Sequence, residues 1–289
     1  MEQLKTFSEK KNLLVSFSGG ETSAYMAQWL WKNKQEEYNI VFVFANTGLE
    51  NYETIYFIKR VSEYFGFTTH IIEAVINPEK GIGATYREVF QMGKTYMEGE
   101  PFIEMCKKFG LPNMASPHCT RELKQVPIEK FAKDYFKGKP YYTAIGIRSD
   151  EIDRMSVRKK ERKLIYPLIS DVEMTKKKIN FFWKMQPFRL ELKGYEGNCV
   201  FCWKKSDKKL ALLERERGHY ALNVMGFGIE FEFAEHYVNK KLENPIRMYR
   251  GNKSLHDIIN QFRGKEINIK DEAGEYESCD VFTACGIDN

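Results

Sequence analysis

A glycine pair stands near the start of the chain, in the stretch LLVSFSGGETSAYM over residues 13–26. Gly19 and Gly20 let the backbone turn tightly, so that its N–H groups can approach an anion closely. Three hydroxyl-bearing residues flank the pair, namely Ser18, Thr22 and Ser23. The lysine of a Walker A loop is absent. The pattern predicts a phosphate held mostly by backbone donors at a helix N-terminus, and a capped helix after a tight turn is the alternative.

Cysteines form the second group of residues with chemical potential. The chain has six cysteines, and a cytosolic protein keeps its thiols reduced, so metal binding or redox chemistry is a better prediction than structural disulfides. Cys199 and Cys202 form a C-x-x-C pair, and Cys119 lies next to His118. Two thiolates can hold one metal centre but do not complete a site, so further ligands are needed.

Alternating strands and helices are predicted to position these residues. Apolar, β-rich runs predict strands at 13–17, 40–45, 70–74 and 142–147, and apolar periodicity predicts helices at 23–32 and 52–66. Such alternation is typical of an α/β fold, a doubly wound parallel sheet with helices on both faces. Sheets of this kind bind ligands at the carboxyl ends of their strands.

The remaining segments are predicted to be additions to this sheet. Residues 81–140 have the character of a helical insertion that carries cysteines, and residues 253–264 predict a short helix. We therefore expect a nucleotide-binding α/β domain over residues 1–215 and a C-terminal extension with a cysteine-containing tail over residues 216–289.

Composition and charge exclude few classes of function. Hydrophobic residues make up 43% of the chain, enough for a large core, and the net charge of +5 permits an anionic substrate or nucleic acid without requiring either. No apolar run reaches the roughly 18 residues that span a bilayer, and no segment of signal-peptide type opens the sequence. We expect a cytoplasmic protein with no membrane partner.

Several motifs, in order along the chain, resemble one family. The SGG-x-x-S loop followed by a strand that ends in NTG resembles the adenine-nucleotide α-hydrolase superfamily and its pyrophosphatase loop. The stretches HCTRELKQVPIEKF, IGIRSDEIDRM, IYPLISDVEMT and GNCVFCWKK are similar to motifs of the phosphoadenylyl-sulfate and adenylyl-sulfate reductases. The resemblance covers about residues 13–206. It implies an adenine nucleotide as substrate, namely phosphoadenylyl sulfate (PAPS), adenylyl sulfate (APS) or ATP.

The resemblance also assigns residues around the nucleotide. It implies that the glycine loop, with Asn46, Thr47 and Gly48 after the second strand, surrounds the nucleotide. Glu21 and Thr22 stand where the family usually has Lys and Asp, and Asn46 replaces the usual Asp. These departures are typical of a divergent branch of phage or mobile-element type.

The resemblance further implies a metal centre. It brings Cys119 against the C-x-x-C loop, so that Cys119, Cys199 and Cys202 supply three thiolates, with Cys106 or His118 as the fourth ligand. In the adenylyl-sulfate branch the corresponding cysteines bind a [4Fe-4S] cluster. A structural Zn²⁺ site is the alternative, because sequence does not separate sulfur-ligated iron from zinc.

The end of the chain carries a candidate nucleophile. Cys285, in ESCDVFTACGIDN, resembles the near-terminal cysteine that attacks sulfur in the reductases, and Cys279 would be the second, resolving thiol. Thioredoxin or glutaredoxin would then be the electron donor. The alternative is a tail with two incidental cysteines, since acidic neighbours raise a thiol pKa rather than lower it.

Basic residues complete the prediction. Arg148, which follows the fourth strand, can meet an anion by a bidentate pair, and Arg154 can reach the same anion from the next turn. The basic runs RMSVRKKERK and KKSDKK predict solvated surface, or else a surface that follows nucleic-acid phosphates. The main hypothesis is an adenylyl-sulfate reductase. The alternatives are an ATP-dependent sulfurtransferase acting on tRNA or DNA, and a zinc-containing nucleotide-binding protein without turnover.

Overall fold

A six-stranded sheet forms the centre of the protein. The computed structural model describes residues 9–89, 99–197, 199–221 and 247–268. The strands are β1 (Lys11–Ser16), β2 (Tyr38–Asn46), β3 (Thr69–Val75), β4 (Thr85–Glu88), β5 (Tyr141–Ala144) and β6 (Leu164–Ile165). Their order is β4-β3-β2-β1-β5-β6, and all neighbours are parallel except β3 and β4. The predicted α/β fold with a parallel sheet is confirmed.

Helices connect and cover these strands. They are α1 (Glu21–Lys34), α2 (Tyr52–Phe65), α3 (Glu100–Phe109), α4 (His118–Thr120), α5 (Val126–Tyr135), α6 (Pro167–Ser170), α7 (Lys176–Lys184), α8 (Asp207–Ala221) and α9 (Leu255–Phe262). A π-helical turn, Arg121–Gln125, joins α4 to α5, and a 3₁₀ helix, Ser149–Arg154, follows β5.

The sheet is buried on both faces, which explains its apolar strands. In β1, Leu13 and Val15 pack in the core that α1, α2 and α7 share, while Leu14 packs in the core on the α5 side. All three side chains are fully buried. Strands buried on both faces favour continuous apolar runs over alternation, which is why the sequence predicted these strands well.

The strand order reverses beside β1. The chain runs outward from β1 through β2 to β3 and then returns to the other side of β1 as β5. In open α/β sheets such a switch point opens a crevice at the carboxyl ends of the strands. Here the crevice lies between the loop after β1 and the loop after β5, so these two loops define the place to look for a ligand.

The segment predicted as a helical insertion is partly integral to the sheet. Thr85–Glu88 forms the antiparallel edge strand β4, which the sequence analysis missed. At the other end of the segment, α5 covers one sheet face, where Ile128 and Phe131 pack among the strand residues. The prediction of a separate insertion over 81–140 was therefore wrong for β4 and α5. The reason is that β4 is short and half exposed, so it carries little apolar pattern.

A further core lies under α3, α8 and α9. It includes Cys106 from α3, Leu210 from α8 and Ile258 from α9. The described residues 247–268 thus share a core with residues that precede position 215. The predicted division between residues 215 and 216 stays a prediction.

Candidate functional site

The glycine loop, residues 17–20, lies between β1 and α1 as predicted. Gly20 is the N-cap residue of α1, and no side chain caps the helix there. Ser18 Oγ donates a hydrogen bond to Ser23 Oγ at 3.0 Å, and Ser23 Oγ donates to the Gly20 carbonyl at 2.9 Å. The first amide groups of a helix lack intrahelical acceptors, so a helix start without a side-chain cap is suited to an anion.

Gly19 is required by both backbone conformation and packing. Its φ is +81°, a left-handed value that residues with a Cβ seldom adopt. A Cβ built there would lie 2.5 Å from Thr54 Cγ2 and 3.1 Å from Ile58 Cδ1. The loop is therefore pressed against α2, and the tight turn depends on this glycine.

Arg148 lies across the switch point from the glycine loop. Its Nη1 donates to Thr22 Oγ1 at 3.3 Å, while its Nε pairs with Asp150 at 2.9 Å. Gly146 makes the approach possible, since a Cβ there would lie 3.2 Å from the Ser23 Cα. The two loops of the crevice are thus in direct contact, and a guanidinium stands beside the start of α1.

Arg154 occupies the same 3₁₀ helix. Its Nη1 lies 2.6 Å from Glu151 Oε1, and Arg148 Nη1 lies 3.3 Å from Glu151 Oε2. Glu151 therefore holds both predicted anion-binding arginines together. Each arginine would exchange or share a carboxylate contact when it binds an anion.

Glu21 has a structural role that the sequence did not reveal. Its carboxylate is buried and accepts hydrogen bonds from Arg189 Nε and Nη2, both at 3.1 Å, and from the Leu190 amide at 3.3 Å. Burial raises the pKa of Glu21, against the lowering effect of Arg189. Glu21, which stands where the family usually has a lysine, thus attaches the segment around residue 189 to the start of α1.

The loop after β2 is predicted to face the nucleotide, and its side chains make internal contacts. Asn46 Nδ2 donates to Glu73 Oε1 at 2.7 Å, and its Oδ1 accepts from the Gly48 amide at 3.2 Å. Gly48 has a φ of +80°, and a Cβ there would lie 2.9 Å from Gly99 Cα. Asn46 therefore fixes the loop to β3, and Gly48 allows close contact with the start of α3.

Thr47 connects this loop to the cysteines. Its hydroxyl donates to Glu50 Oε1 at 3.0 Å and lies 3.4 Å from Cys199 Sγ. The Val200 amide donates to the Leu49 carbonyl at 2.9 Å, so the C-x-x-C loop is joined to the β2 loop by backbone as well. The predicted nucleotide loop and the predicted metal loop are neighbours.

Three of the predicted cysteine ligands line one cavity. Its lining includes Cys119, Cys199 and Cys202, together with Lys124 and Trp203. Cys106 is fully buried in the adjacent core. Burial raises the pKa of both the Cys106 and the Cys199 thiols, and Cys119 adds to the effect on Cys106. We call Cys106, Cys119, Cys199 and Cys202, with the residues that contact them, the cysteine corner.

The arrangement of the cysteine corner does not by itself complete a metal site. Within residues 9–89, 99–197, 199–221 and 247–268, no three His, Cys, Asp or Glu side chains are grouped closely enough to hold a metal ion. The thiol chemistry suits iron or zinc, but the four-cysteine ligand set stays a prediction. His118, the alternative ligand, hydrogen-bonds through Nε2 to the Gly110 carbonyl at 3.0 Å.

Two buried charges in this corner were missed by the sequence analysis. Glu50 is 3% exposed and lies 3.7 Å from Lys124 Nζ, and its Oε1 accepts a hydrogen bond from the Cys199 thiol at 3.7 Å. Lys205 is also buried, and its Nζ donates to the Gly197 carbonyl. Burial lowers the pKa of Lys205, whereas the nearby Cys199 and Cys202 act to raise it. The available signal in the sequence was position, since Glu50 directly follows the NTGL stretch and Lys205 closely follows the C-x-x-C pair.

The π-helical turn delivers Lys124 to this corner. A π turn inserts one extra residue into a helix and is frequent at functional sites. Arg121, in the same turn, points outward with a 67% exposed side chain and pairs with Glu122. Lys124 and Arg121 therefore face different surroundings.

The candidate nucleophile belongs to the tail of the chain. Cys279 and Cys285 lie outside the described residues, so their catalytic roles stay predictions.

Comparison with known proteins agrees with this geometry. The family model of the phosphoadenosine phosphosulfate reductase domain matches residues 12–164, which include all of β1 except Lys11, the glycine loop and Arg148. The chain belongs to this family. The family binds nucleotide substrates, and the predicted resemblance is confirmed.

Two curated proteins are similar to this chain. It is 34% identical over 284 residues to the nin region protein ORF290 of Escherichia phage lambda, covering 93% of this chain and 94% of the relative. It is 25% identical over 157 residues to protein MJ0066 of Methanocaldococcus jannaschii, covering 54% of this chain and 27% of the relative. The phage relative confirms the predicted phage-type branch.

One finding bears on the membrane prediction. In the described parts of the chain, no helix combines the length and apolar character needed to cross a bilayer.

Proposed function

We propose that the protein binds an adenylyl sulfate in the glycine loop and takes part in thiol-dependent reduction of its sulfur. The observation that carries this proposal is the contact of Thr47 with Cys199 at 3.4 Å, at the edge of the sheet where Arg148 meets Thr22. The glycine loop, a guanidinium and several thiols therefore stand around one end of the sheet. Membership of the family supports an adenine nucleotide as the ligand.

The proposed roles follow from the chemistry of each group. The glycine loop amides and the Ser18 and Thr22 hydroxyls would hold phosphate, and Arg148 and Arg154 would neutralise the sulfate end. In the reaction, a Cys285 thiolate would form a bond to the sulfur of the adenylyl sulfate. The sulfur–oxygen bond to the nucleotide would break, and the electron pair would leave on the phosphate oxygen.

A second thiol would complete the cycle. Cys279, or a thiol of thioredoxin or glutaredoxin, would attack Cys285 Sγ of the thiosulfonate and release sulfite with the sulfur–sulfur electron pair. The resulting disulfide would then be reduced by the donor's dithiol. This step rests on the sequence of the tail, where both cysteines are found.

The cysteine corner is proposed to hold a [4Fe-4S] cluster, with Zn²⁺ as the alternative. Support comes from the three thiols that line a common cavity and from Cys106 in the core beside it. Cys106, Cys119, Cys199 and Cys202 would hold the cluster, which would supply electron storage. Anaerobic purification, followed by iron, zinc and acid-labile sulfide analysis of the wild type and Cys202→Ser, tests the assignment.

A sulfite assay tests the proposed reaction. The full chain is incubated with APS or PAPS and reduced thioredoxin, and sulfite is measured. We expect sulfite from the wild type, none from Cys285→Ser, and full nucleotide binding by both proteins. Sulfite production by a chain truncated before Cys279 would overturn the tail nucleophile, and absence of sulfite despite nucleotide binding would overturn the reductase.

A second function has support from the same Thr47–Cys199 contact. Thiols beside a nucleotide loop also suit a sulfurtransferase, in which ATP adenylates an acceptor with release of pyrophosphate and a cysteine-bound sulfur displaces AMP. This function requires Mg²⁺ and ATP, and it does not require Cys285. Release of pyrophosphate from ATP in the presence of RNA or DNA would favour it over the reductase.

A further inference from the structure

A turn over residues 157–163 carries an unusual density of positive charge. It contains five cations and one carboxylate, namely Arg158, Lys159, Lys160, Arg162 and Lys163 with Glu161. None of the five cations forms an ion pair with any carboxylate in the described ranges. This one turn thus carries most of the net positive charge of the protein, which is only +5.

The backbone of this turn is held in place. The Lys159 amide donates to the Ser156 carbonyl at 3.3 Å, and the Arg162 amide donates to the Arg158 carbonyl at 3.0 Å. The Leu164 amide, at the start of β6, donates to the Lys159 carbonyl at 2.8 Å. The cations therefore project from an ordered support, which lowers the entropy lost when a ligand fixes them.

The turn is close in the chain to the candidate site. It begins three residues after Arg154, at the end of the 3₁₀ helix that also carries Arg148 at its start. The turn therefore starts close to these arginines in the chain and ends at the start of β6.

A second surface, at the start of α2, carries exposed aromatic rings. Tyr52 and Tyr56, on the first turns of α2, are 60% and 46% exposed. Their rings are nearly parallel, with an interplanar angle of 10° and centroids 6.2 Å apart. Arg60, one turn further, lies 5.7 Å from the Tyr56 ring and 4.4 Å from the Phe188 ring. This tyrosine–arginine stripe is a preformed stacking surface.

We propose that the protein binds single-stranded nucleic acid, with phosphates at turn 157–163 and bases on the stripe of Tyr52, Tyr56 and Arg60. Single strands are held by a combination of free cations for the backbone and exposed aromatic rings for the bases. The stripe begins beyond the carboxyl end of β2, and the turn leads into the amino end of β6, so a bound strand would extend across the rim of the sheet between them. The inference goes beyond the proposed function, because it requires no turnover of a nucleotide.

The features fit this partner better than an anionic membrane. Membrane-surface binding usually adds an apolar helix face or several inserting side chains to the charge. In turn 157–163 the exposed apolar side chain is Val157 alone, and the tyrosines stand on a different element. Charge and stacking together therefore point to a nucleic acid.

Fluorescence anisotropy with labelled oligo(dT) and oligo(U) tests the proposal, using the full chain without adenine nucleotide. We expect binding at about 50 mM salt that weakens steeply towards 200 mM. Changing Arg158, Lys159 and Lys160 together to Gln should weaken binding about tenfold or more, and should reduce the slope of log affinity against log salt by about 2. Tyr56→Ala should weaken binding about tenfold with an unchanged salt slope.

The matched control changes Lys130, Lys133 and Lys137 to Gln, which removes the same charge from α5 and the turn that follows it. It should leave the affinity within about twofold of the wild type. The proposal is overturned by absence of binding at low salt, by equal losses in the control, or by equal affinity for a duplex. Binding to phosphatidylserine vesicles through turn 157–163, without binding to oligonucleotides, would overturn it as well.

Discussion

A buried carboxylate beside the glycine loop and a buried ammonium in the cysteine corner are paired in different ways. Beside the loop, the Glu21 carboxylate is paired with Arg189 through both oxygens. In the cysteine corner, the Lys205 ammonium meets a backbone carbonyl, and no carboxylate in the described residues pairs with it within 4 Å. The Trp203 indole N–H, also buried there, has no acceptor among the described groups.

The two arrangements differ in the polar groups that they leave available to a ligand. A buried ion pair with saturated hydrogen bonds holds segments together and has little capacity for a ligand. A corner with thiols, an ammonium and a free N–H donor keeps polar groups that an anionic or metal-bound ligand can satisfy. In the proposed function the loop would hold the nucleotide, and the cysteine corner would hold the metal centre beside it.

The largest expected effect concerns the support of the loop. Gly19→Ala should lower the free energy of unfolding by about 3 kcal/mol, because left-handed strain adds to overpacking against Thr54. Gly138→Ala is the control, since Gly138 has a φ of +74° but a Cβ there would meet no atom within 4 Å; it should cost about 1 kcal/mol. Urea unfolding measures both. Equal losses would mean that the contact with α2 is unimportant.

Removal of Arg189 should show that the Glu21 pair is structural. Arg189→Met leaves the buried carboxylate without its cation and should cost about 2 kcal/mol at neutral pH. In Arg189→Met, the pKa of Glu21, already raised by burial, should rise further. The folded state then takes up a proton more readily than the unfolded state, so the loss of stability should shrink as pH falls towards 4.5.

A double variant gives the control for this pair. Glu21→Gln combined with Arg189→Met should recover more than half of the lost stability, because no charge is then buried alone. A double variant that is no more stable than the single one would assign the loss to packing of the Arg189 stem.

The corresponding change in the cysteine corner should have the opposite sign. Lys205→Met removes a buried ammonium and should raise the free energy of unfolding by about 1 kcal/mol. The pKa of Lys205 is lowered by burial, so wild-type stability should rise with pH between that lowered value and the ordinary 10.5, and this rise should be absent in the variant. A large destabilisation at neutral pH would show that the two regions handle buried charge alike.

The smallest effect concerns α9, which packs on the core of the cysteine corner. The pKa of Asp257 is lowered by the Ser254 amide and hydroxyl, which donate to its carboxylate at 2.8 and 2.7 Å. Asp257→Asn should cost about 0.5 kcal/mol near neutral pH. The difference from the wild type should vanish as pH falls below 3.8 and through the lowered pKa. A pH-independent difference would rule out the charge of the cap.

The sequence predicted the centre of the sheet well and its margins poorly. Continuous apolar runs identified β1, β2, β3 and β5, because strands buried on both faces leave that pattern. The edge strand β4 has exposed and half-buried residues only, so its pattern is weak. The helix α5 was also assigned to the insertion, although it covers the sheet.

The candidate site shows a similar limit. Gly19, Gly20 and Arg148 could be predicted because their positions follow directly from strand ends. The role of Arg189 could not be predicted, because it contacts Glu21 across more than a hundred residues of sequence. The burial of Lys205 could not be predicted either, because it depends on tertiary packing. Local sequence patterns carry no record of such contacts.

Calorimetric titration of the wild type and Arg148→Ala with APS, PAPS and ATP tests the central claim most directly. At least one adenine nucleotide should bind the wild type, and Arg148→Ala should weaken that binding about tenfold or more, by loss of charge-assisted hydrogen bonds. Arg263→Ala, at an exposed position after α9, should bind as the wild type does. Absence of binding by all three nucleotides, or equal affinity of the wild type and Arg148→Ala, would contradict the assignment of the crevice as the nucleotide site.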